Sequence, residues 1–154
     1  MPFSDSYANE ILNYTLAKTK TLTAPSYVYI GLSTNDPEAD GGTFNELPIG
    51  TAGYSRVMIV QRDAAYPDFV GSASGRLIDN SKQINWTKAS ANWARVKGFG
   101  LFSSSSGGSP FFYGKLDLTE QQLSEGGLLV PEGAVALFEA DGFGLNFATA
   151  DLDA

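Results

Sequence analysis

A mainly β fold, an antiparallel β-sandwich or jelly-roll-like barrel with one short N-terminal helix, is what this sequence predicts. Three observations predict it. A helical period of apolar residues appears once, near the N-terminus. Beyond Thr19 the chain is biased toward β-branched and aromatic residues punctuated by Gly, Pro, Asn and Ser, as in strands joined by turns. The apolar runs are short and recur about seven times, which suits a sandwich or barrel.

The elements follow in chain order. Ser4 is placed to cap a helix over residues 5–18, with Asp5 near the positive end of its dipole. Tyr7, Ile11 and Tyr14 recur at i, i+4 and i+7, and Leu12 and Leu16 widen the stripe, so the helix is expected to dock that face. Strands are expected near 26–32, 54–62, 82–87, 93–103, 110–118, 134–139 and 142–149, with one short helical turn over Thr119 to Glu125. Ser103 to Pro110 lies between two apolar strands and reads as an exposed, mobile hairpin tip. Neither heptads nor a Gly-X-Y period is present, which argues against a fibrous shaft or a collagen-like stalk. One domain over 1–154 is expected, with a helix and arm in 1–20 and the β-sandwich in 21–154.

Composition excludes several classes of function. Ten basic and 17 acidic residues leave a formal charge of −7, which repels phosphate backbones and anionic headgroups, so neither nucleic acid nor membrane is an expected partner. No apolar run approaches the roughly 20 residues that span a bilayer, and the N-terminus lacks a signal-peptide pattern, so a soluble, unexported protein is expected. The absence of cysteine removes disulfides, thiolate metal sites and thiol nucleophiles. The absence of histidine removes the commonest general base and metal ligand together with the Ser-His-Asp mechanism.

Three groups of residues carry a resemblance. Tyr29-Ile30-Gly31-Leu32-Ser33-Thr34-Asn35-Asp36-Pro37 runs from a strand into an acidic turn, Gly53-Tyr54-Ser55-Arg56 opens a second strand, and Trp93 to Phe102 forms a third, with Ile84-Asn85-Trp86 between. In this order they resemble a family of short tailed-phage virion proteins commonly labelled tail fibre protein. Its pattern is a short helix, then Y-x-G-L-x-T-x-D-P, G-Y-x-R and W-x-x-V-x-x-x-G-[IL]-F. The resemblance spans most of the chain and implies a virion component assembled in the bacterial host cytoplasm. The stretch Ser103 to Ser109 replaces an acidic residue that often follows the last Phe of the pattern.

A retaining glycosidase needs two carboxyls about 5–5.5 Å apart, and Asp151 with Asp153 is the best-spaced pair, but it sits in a terminal acidic tail. Asp36, Glu38 and Asp40 before Gly41 imitate a calcium loop, yet Leu47 stands where the bidentate Glu belongs, so an ordinary turn is expected. Gly71 to Arg76 lacks the Gly-Lys-Ser/Thr ending of a phosphate loop and reads as a turn. No enzyme activity, metal or cofactor is expected. Trp86 and Trp93 are expected in the core, whereas Tyr66 and Phe69 form the more plausible exposed aromatic pair, in a loop. Arg56, Arg62, Arg76 and Arg95 are candidate interface anchors, because Arg pairs bidentately and is enriched at hot spots. For Arg56 the competing account is a pair with an acid on a neighbouring strand.

A non-enzymatic virion structural protein is therefore the expectation. Small size, expected compactness and the lack of a shaft point first to a capsid decoration (cement) protein, a homotrimer that bridges capsomers by binding the major capsid protein. The alternative is a tail fibre, adaptor or baseplate component that contacts other virion proteins and binds host surface glycans through its exposed aromatics.

Overall fold

Five consecutive buried residues, Gly98–Phe102, form the strand around which the rest is arranged. A strand buried on both faces needs cover on both, and here the two covers differ in kind. The computed structural model describes residues 3–17, 25, 27–60, 65–66, 69–72, 77–139 and 144–146. In chain order these contain α1 (Asp5–Leu12), a π-helical stretch (Asn13–Ala17), β1 (Val28–Ser33), β2 (Val57–Ile59), β3 (Phe69–Ser72), β4 (Leu77–Asn80) and β5 (Ile84–Asn85). They continue with β6 (Gly98–Phe102), β7 (Phe112–Lys115), α2 (Glu120–Ser124), β8 (Leu137–Phe138) and β9 (Gly144–Asn146).

Among the described residues the strands form a four-stranded sheet β2-β1-β6-β7, a three-stranded sheet β3-β4-β9 and a two-stranded sheet β5-β8. All the pairings are antiparallel, and no barrel closes. On one face of the four-stranded sheet Ile30 and Leu32 of β1, Ile59 of β2, and Phe99 and Leu101 of β6 join one core cluster with Ile84, Trp86, Trp93 and Val96. Phe138 of β8 meets Phe99 at 5.9 Å and Trp86 at 5.7 Å, both edge to face, which seats the two-stranded sheet over this face in a sandwich-like arrangement. The opposite face carries Gly31, Gly98, Gly100 and Phe102 and is covered by the loop from Thr34 to Leu47. A Cβ on Gly98 would lie 2.5 Å from Pro37 Cδ and one on Gly100 would lie 2.8 Å from the Phe44 ring, so glycine lets the loop lie flat on the sheet.

All seven expected strands have a counterpart, most of them shorter. Residues 86–96 run beside 128–136 as extended backbone joined by Trp86 N–H to Ala136 C=O, Ala89 to Ala134, Trp93 to Val130 and Val96 to Leu128, each 2.9–3.0 Å. These spaced bonds satisfy the backbone without a continuous ladder, which is why the expected strands 82–87, 93–103 and 134–139 contract. The pair β3–β4 was not expected. Phe69-Val-Gly-Ser and Leu77-Ile-Asp-Asn each mix two strand formers with two residues depleted from strands, so Gly71 to Arg76 reads as a turn although Gly71 and Ser72 are paired with Ile78 and Leu77.

The N-terminal helix begins as expected, with Ser4 Oγ accepting the Tyr7 amide at 3.4 Å. It is held by its first turn: Phe3 bridges Phe112, Ser4 N–H donates to Phe111 C=O at 3.0 Å, and Phe3 and Tyr7 pack on Phe111 and Phe112 at 4.6–5.5 Å. The expectation of an α-helix over 5–18 with a docked stripe is corrected. The α-helix ends at Leu12 and a π-helical stretch follows, beside Thr15 Oγ1 back-bonding to Ile11 C=O at 2.7 Å. Leu12, Tyr14 and Leu16 are exposed, Leu16 at 78%. The short turn at 119–125 is α2, capped by a reciprocal Thr119–Gln122 box. No described helix is long and apolar enough to cross a membrane.

Candidate functional site

The three sequence motifs converge on one buried ion pair. Arg56, at the end of Gly53-Tyr54-Ser55-Arg56, donates from Nε to Glu46 Oε1 at 2.8 Å and from Nη2 to Glu46 Oε2 at 2.6 Å. Its Nη1 donates to Ser104 C=O at 2.8 Å, and the guanidinium lies 3.4 Å from the centroid of the Phe102 ring. The Arg56 side chain is 1% exposed and that of Glu46 17%, so the pair sits in a low-dielectric setting and is satisfied in the bidentate geometry such burial requires. Tyr54 OH donates to Glu46 Oε1 at 3.0 Å and accepts from Leu32 N–H at 2.8 Å. Burial pushes the Tyr54 phenol far above its ordinary value of 10, the Leu32 amide opposes this, and the Glu46 carboxylate adds to it.

Gly31 completes the node. A Cβ there would lie 2.8 Å from Glu46 Oε1, 3.0 Å from Phe102 and 3.2 Å from Tyr54 OH. Trp93 stacks its edge on Tyr54 at 5.4 Å and donates from Nε1 to Ala52 C=O at 2.9 Å. Ala52 and Gly53 both have positive φ, 52° and 80°, and a Cβ on Gly53 would lie 3.0 Å from Lys88 C=O, so the Gly of G-Y-x-R shapes the turn that delivers Tyr54 and Arg56.

Above the node lies a polar cleft of about 430 Å³, formed by Ser4, Asp5 and Ser6 at the start of α1, by Gly41 to Phe44 and Glu46 of the covering loop, and by Phe102, Gly108, Ser109, Pro110 and Tyr113 of the β6–β7 hairpin. Tyr113 is 9% exposed, and among the described residues its hydroxyl makes no hydrogen bond but is open to solvent. Burial, then the charges of Asp5 and Glu38, hold its phenol above the ordinary value, so it stays a neutral donor. Among the described residues the exposed Asp5 carboxylate makes neither an ion pair nor a hydrogen bond. Glu46, in contrast, is neutralised by Arg56. The hairpin tip is exposed from Ser103 to Ser109, as expected, but it is pinned at Ser104 by Arg56 and by its own Ser104 Oγ to Ser106 C=O bond at 2.8 Å. A second cleft, of about 560 Å³ and more apolar, opens between the sheets beside Trp86, Phe99, Leu116 and Phe138. The Trp86 indole N–H is buried there without a partner.

The expected site residues scatter. Arg56 is turned inward onto Glu46, the arrangement of its competing account. Arg95 lies at the surface, its side chain 34% exposed, 3.3 Å from Glu125 and donating to Gly127 C=O at 2.9 Å. Arg62 and Arg76 lie outside the described residues, as do Asp151 and Asp153. Tyr66 is exposed at 38%, while Phe69 opens β3, so the pair expected in one loop is split between a loop and a strand. Trp86 and Trp93 are buried, at 3% and 5%. In the calcium-like loop, Asp36 Oδ1 accepts the amides of Glu38 and Ala39 at 2.9 and 3.3 Å, and Asp40 Oδ2 accepts from Asn35 Nδ2 at 2.7 Å, so these oxygens serve the turn itself.

Sequence reasoning missed Glu46. Glu46 stands in a loop with no periodicity, and its partner is ten positions away across a turn. One signal pointed toward it: an Arg fixed in a glycine-started strand motif demands an acid nearby.

A β-structured chain whose motif residues are spent on turns, close approach and one buried ion pair is built as a structural protein. More particularly, it belongs to the family described as podophage GP4 fiber I protein gp80, which it matches over residues 2–137, from the N-terminal arm to β8. It is thus a short-tailed phage fibre-type structural protein and part of a virion. No curated protein matches the chain.

Proposed function

We propose that this protein is a non-enzymatic component of the phage tail, a compact single-domain fibre or adaptor piece whose work is binding. The observation that carries this reading is the family match from residue 2 to residue 137, which takes in the node and the cleft together. The fibre description favours the tail over the capsid decoration expected from small size, compactness and the lack of a shaft. Its partners are other virion proteins; a homotrimer is the arrangement that suits a fibre with closed symmetry, assembled in the host cytoplasm. In this reading Arg95 and Tyr66 are, among the members of the expected contact set whose exposure is described, those that reach the surface.

The copy number relative to the major capsid protein tests the location, measured by quantitative mass spectrometry on purified virions. A tail part gives a few copies per hundred capsid subunits. A ratio near one to one would replace the tail reading with lattice decoration, and absence from the particle would overturn both.

A further inference from the structure

We infer that the apolar cleft between the sheets is an interface between copies of this chain, in which the N-terminal arm of one copy, carrying Leu12, Tyr14 and Leu16, seats in the cleft of the next. The inference rests on the fibre reading and names the contact that would close its trimer. Among the described residues two apolar surfaces are left open to water, one a ridge and the other a groove. The arm, running from α1 through the π-helical stretch at Asn13–Ala17, is fixed at its first turn and leaves Leu12, Tyr14 and Leu16 exposed. The cleft, of about 560 Å³, is walled by Trp86, Phe99, Leu116 and Phe138, with the exposed Leu137 beside them. Seating one in the other removes both from water at once. The two lie toward opposite ends of β7, since Phe112 carries the arm and Lys115 to Leu118 line the cleft. One copy can therefore give its arm to a second and receive the arm of a third, a heterologous contact that makes a ring when its rotation closes.

The polar groups of the two surfaces match as well. Among the described residues the Trp86 indole N–H is the side-chain polar group that is buried without a partner, and Trp86 lines this cleft. The Tyr14 hydroxyl on the arm is an acceptor that supplies what the indole lacks, while its ring rests on the apolar walls. Charge agrees in sign. Glu10 is exposed about one helical turn before Tyr14, Lys115 is exposed on the rim of the cleft, and neither has an ion pair among the described residues. Glu10 of one copy set against Lys115 of the next orients the arm as Tyr14 enters. One arm in one cleft is a small contact beside the roughly 800 Å² per partner of a stable interface, so dilute chains stay monomeric with the arm open, and the contact forms at the high local concentration of a fibre.

The test is sedimentation equilibrium on the full chain from about 10 μM to about 1 mM, the range in which weak contacts associate, with the indole N–H resonances followed by NMR over the same range. The mass is expected to rise from monomer toward trimer. The Trp86 indole resonance should move with it, while that of Trp93, already bonded to Ala52, stays in place. Tyr14→Ala should weaken association about tenfold, as for a truncated aromatic anchor, and Tyr14→Phe should abolish the Trp86 shift. Both changes fall on an exposed side chain, so the monomer stays folded. Lys115→Glu should weaken association from the side of the cleft, and Glu10→Lys added to it should restore the contact. A monomer at every concentration would give the cleft to another virion protein or a small ligand and overturn the proposal. Association indifferent to Tyr14→Ala, or a Lys115→Glu defect that Glu10→Lys does not repair, would overturn it too. Copy number separates this from the reading beneath it: arm-in-cleft trimers at capsid stoichiometry would sink the tail location and keep the contact, whereas a tail-level copy number with a monomer throughout would do the reverse.

Discussion

Arg56 and Glu46 show what a buried charge pair does for a chain that has no disulfide to hold it. Each is costly to bury alone, and together with Tyr54, Ser104 and Phe102 they fasten β1, β2, the covering loop and the β6–β7 hairpin at one point. Arg56→Met fills similar volume but leaves Glu46 mostly buried and unpaired, and is expected to cost about 3–5 kcal/mol in urea denaturation. Replacing both, as Arg56→Met with Glu46→Leu, removes the orphan charge and should cost less than the sum of the single changes by about 1–3 kcal/mol. Strict additivity in that double-mutant cycle would mean that the pair is not coupled. Arg56→Lys is no conservative change, since an ammonium can neither fork onto the carboxylate nor lie flat on Phe102.

At the scale of elements, the N-terminal helix illustrates the difference between an apolar stripe and a docked one. Its first turn carries Phe3 and Tyr7 onto Phe111 and Phe112, whereas Leu12, Tyr14 and Leu16 are exposed among the described residues. Tyr7→Ala should therefore cost roughly 1–3 kcal/mol from lost area and ring contacts. Leu16→Ser, at 78% exposure, should stay within about 0.5 kcal/mol. Equal effects of the two in chemical denaturation would mean that the outer stripe is covered in solution. The period in the sequence could not tell these halves apart, because it records where apolar residues stand and not where the sheet beneath them ends. The strands were more legible: alternation and turn residues located β1, β6 and β7, whose partners lie next to them in the sheet. The β3–β4 pair was illegible, since Gly71, Ser72, Asp79 and Asn80 carry turn chemistry and only pairing makes them strands. The node was half legible. The motifs named Gly31, Tyr54, Arg56 and Phe102, yet nothing in them named Glu46, because a single long-range partner leaves no local pattern.

The whole molecule titrates unusually. With no histidine and no cysteine, it has no side chain whose ordinary pKa falls between about 4.3 and 10, so stability should be nearly flat from about pH 6 to pH 9, the terminal amine aside. Above that range Tyr54 decides the slope. Its phenol in the folded protein lies far above 10, its ordinary value and that of the unfolded chain, because burial next to Glu46 disfavours the phenolate. Above pH 10 the unfolded chain releases this proton while the folded one keeps it. The folded state then binds more protons, so stability is fully present below about pH 10 and falls with rising pH, at up to about 1.4 kcal/mol per pH unit for this one group. Tyr113, also raised, acts with the same sign. Thermal unfolding followed from pH 6 to pH 11 should show the plateau and then the fall. Tyr54→Phe should lower the plateau by about 1–3 kcal/mol, since the Leu32 amide loses its acceptor, and should make the alkaline limb shallower by one proton. Phenolate absorbance from Tyr54 should appear only as the fold is lost. A Tyr54 that ionises near pH 10 in the folded protein would mean that water reaches the node, and the buried setting argued for Arg56 and Glu46 would fall with it.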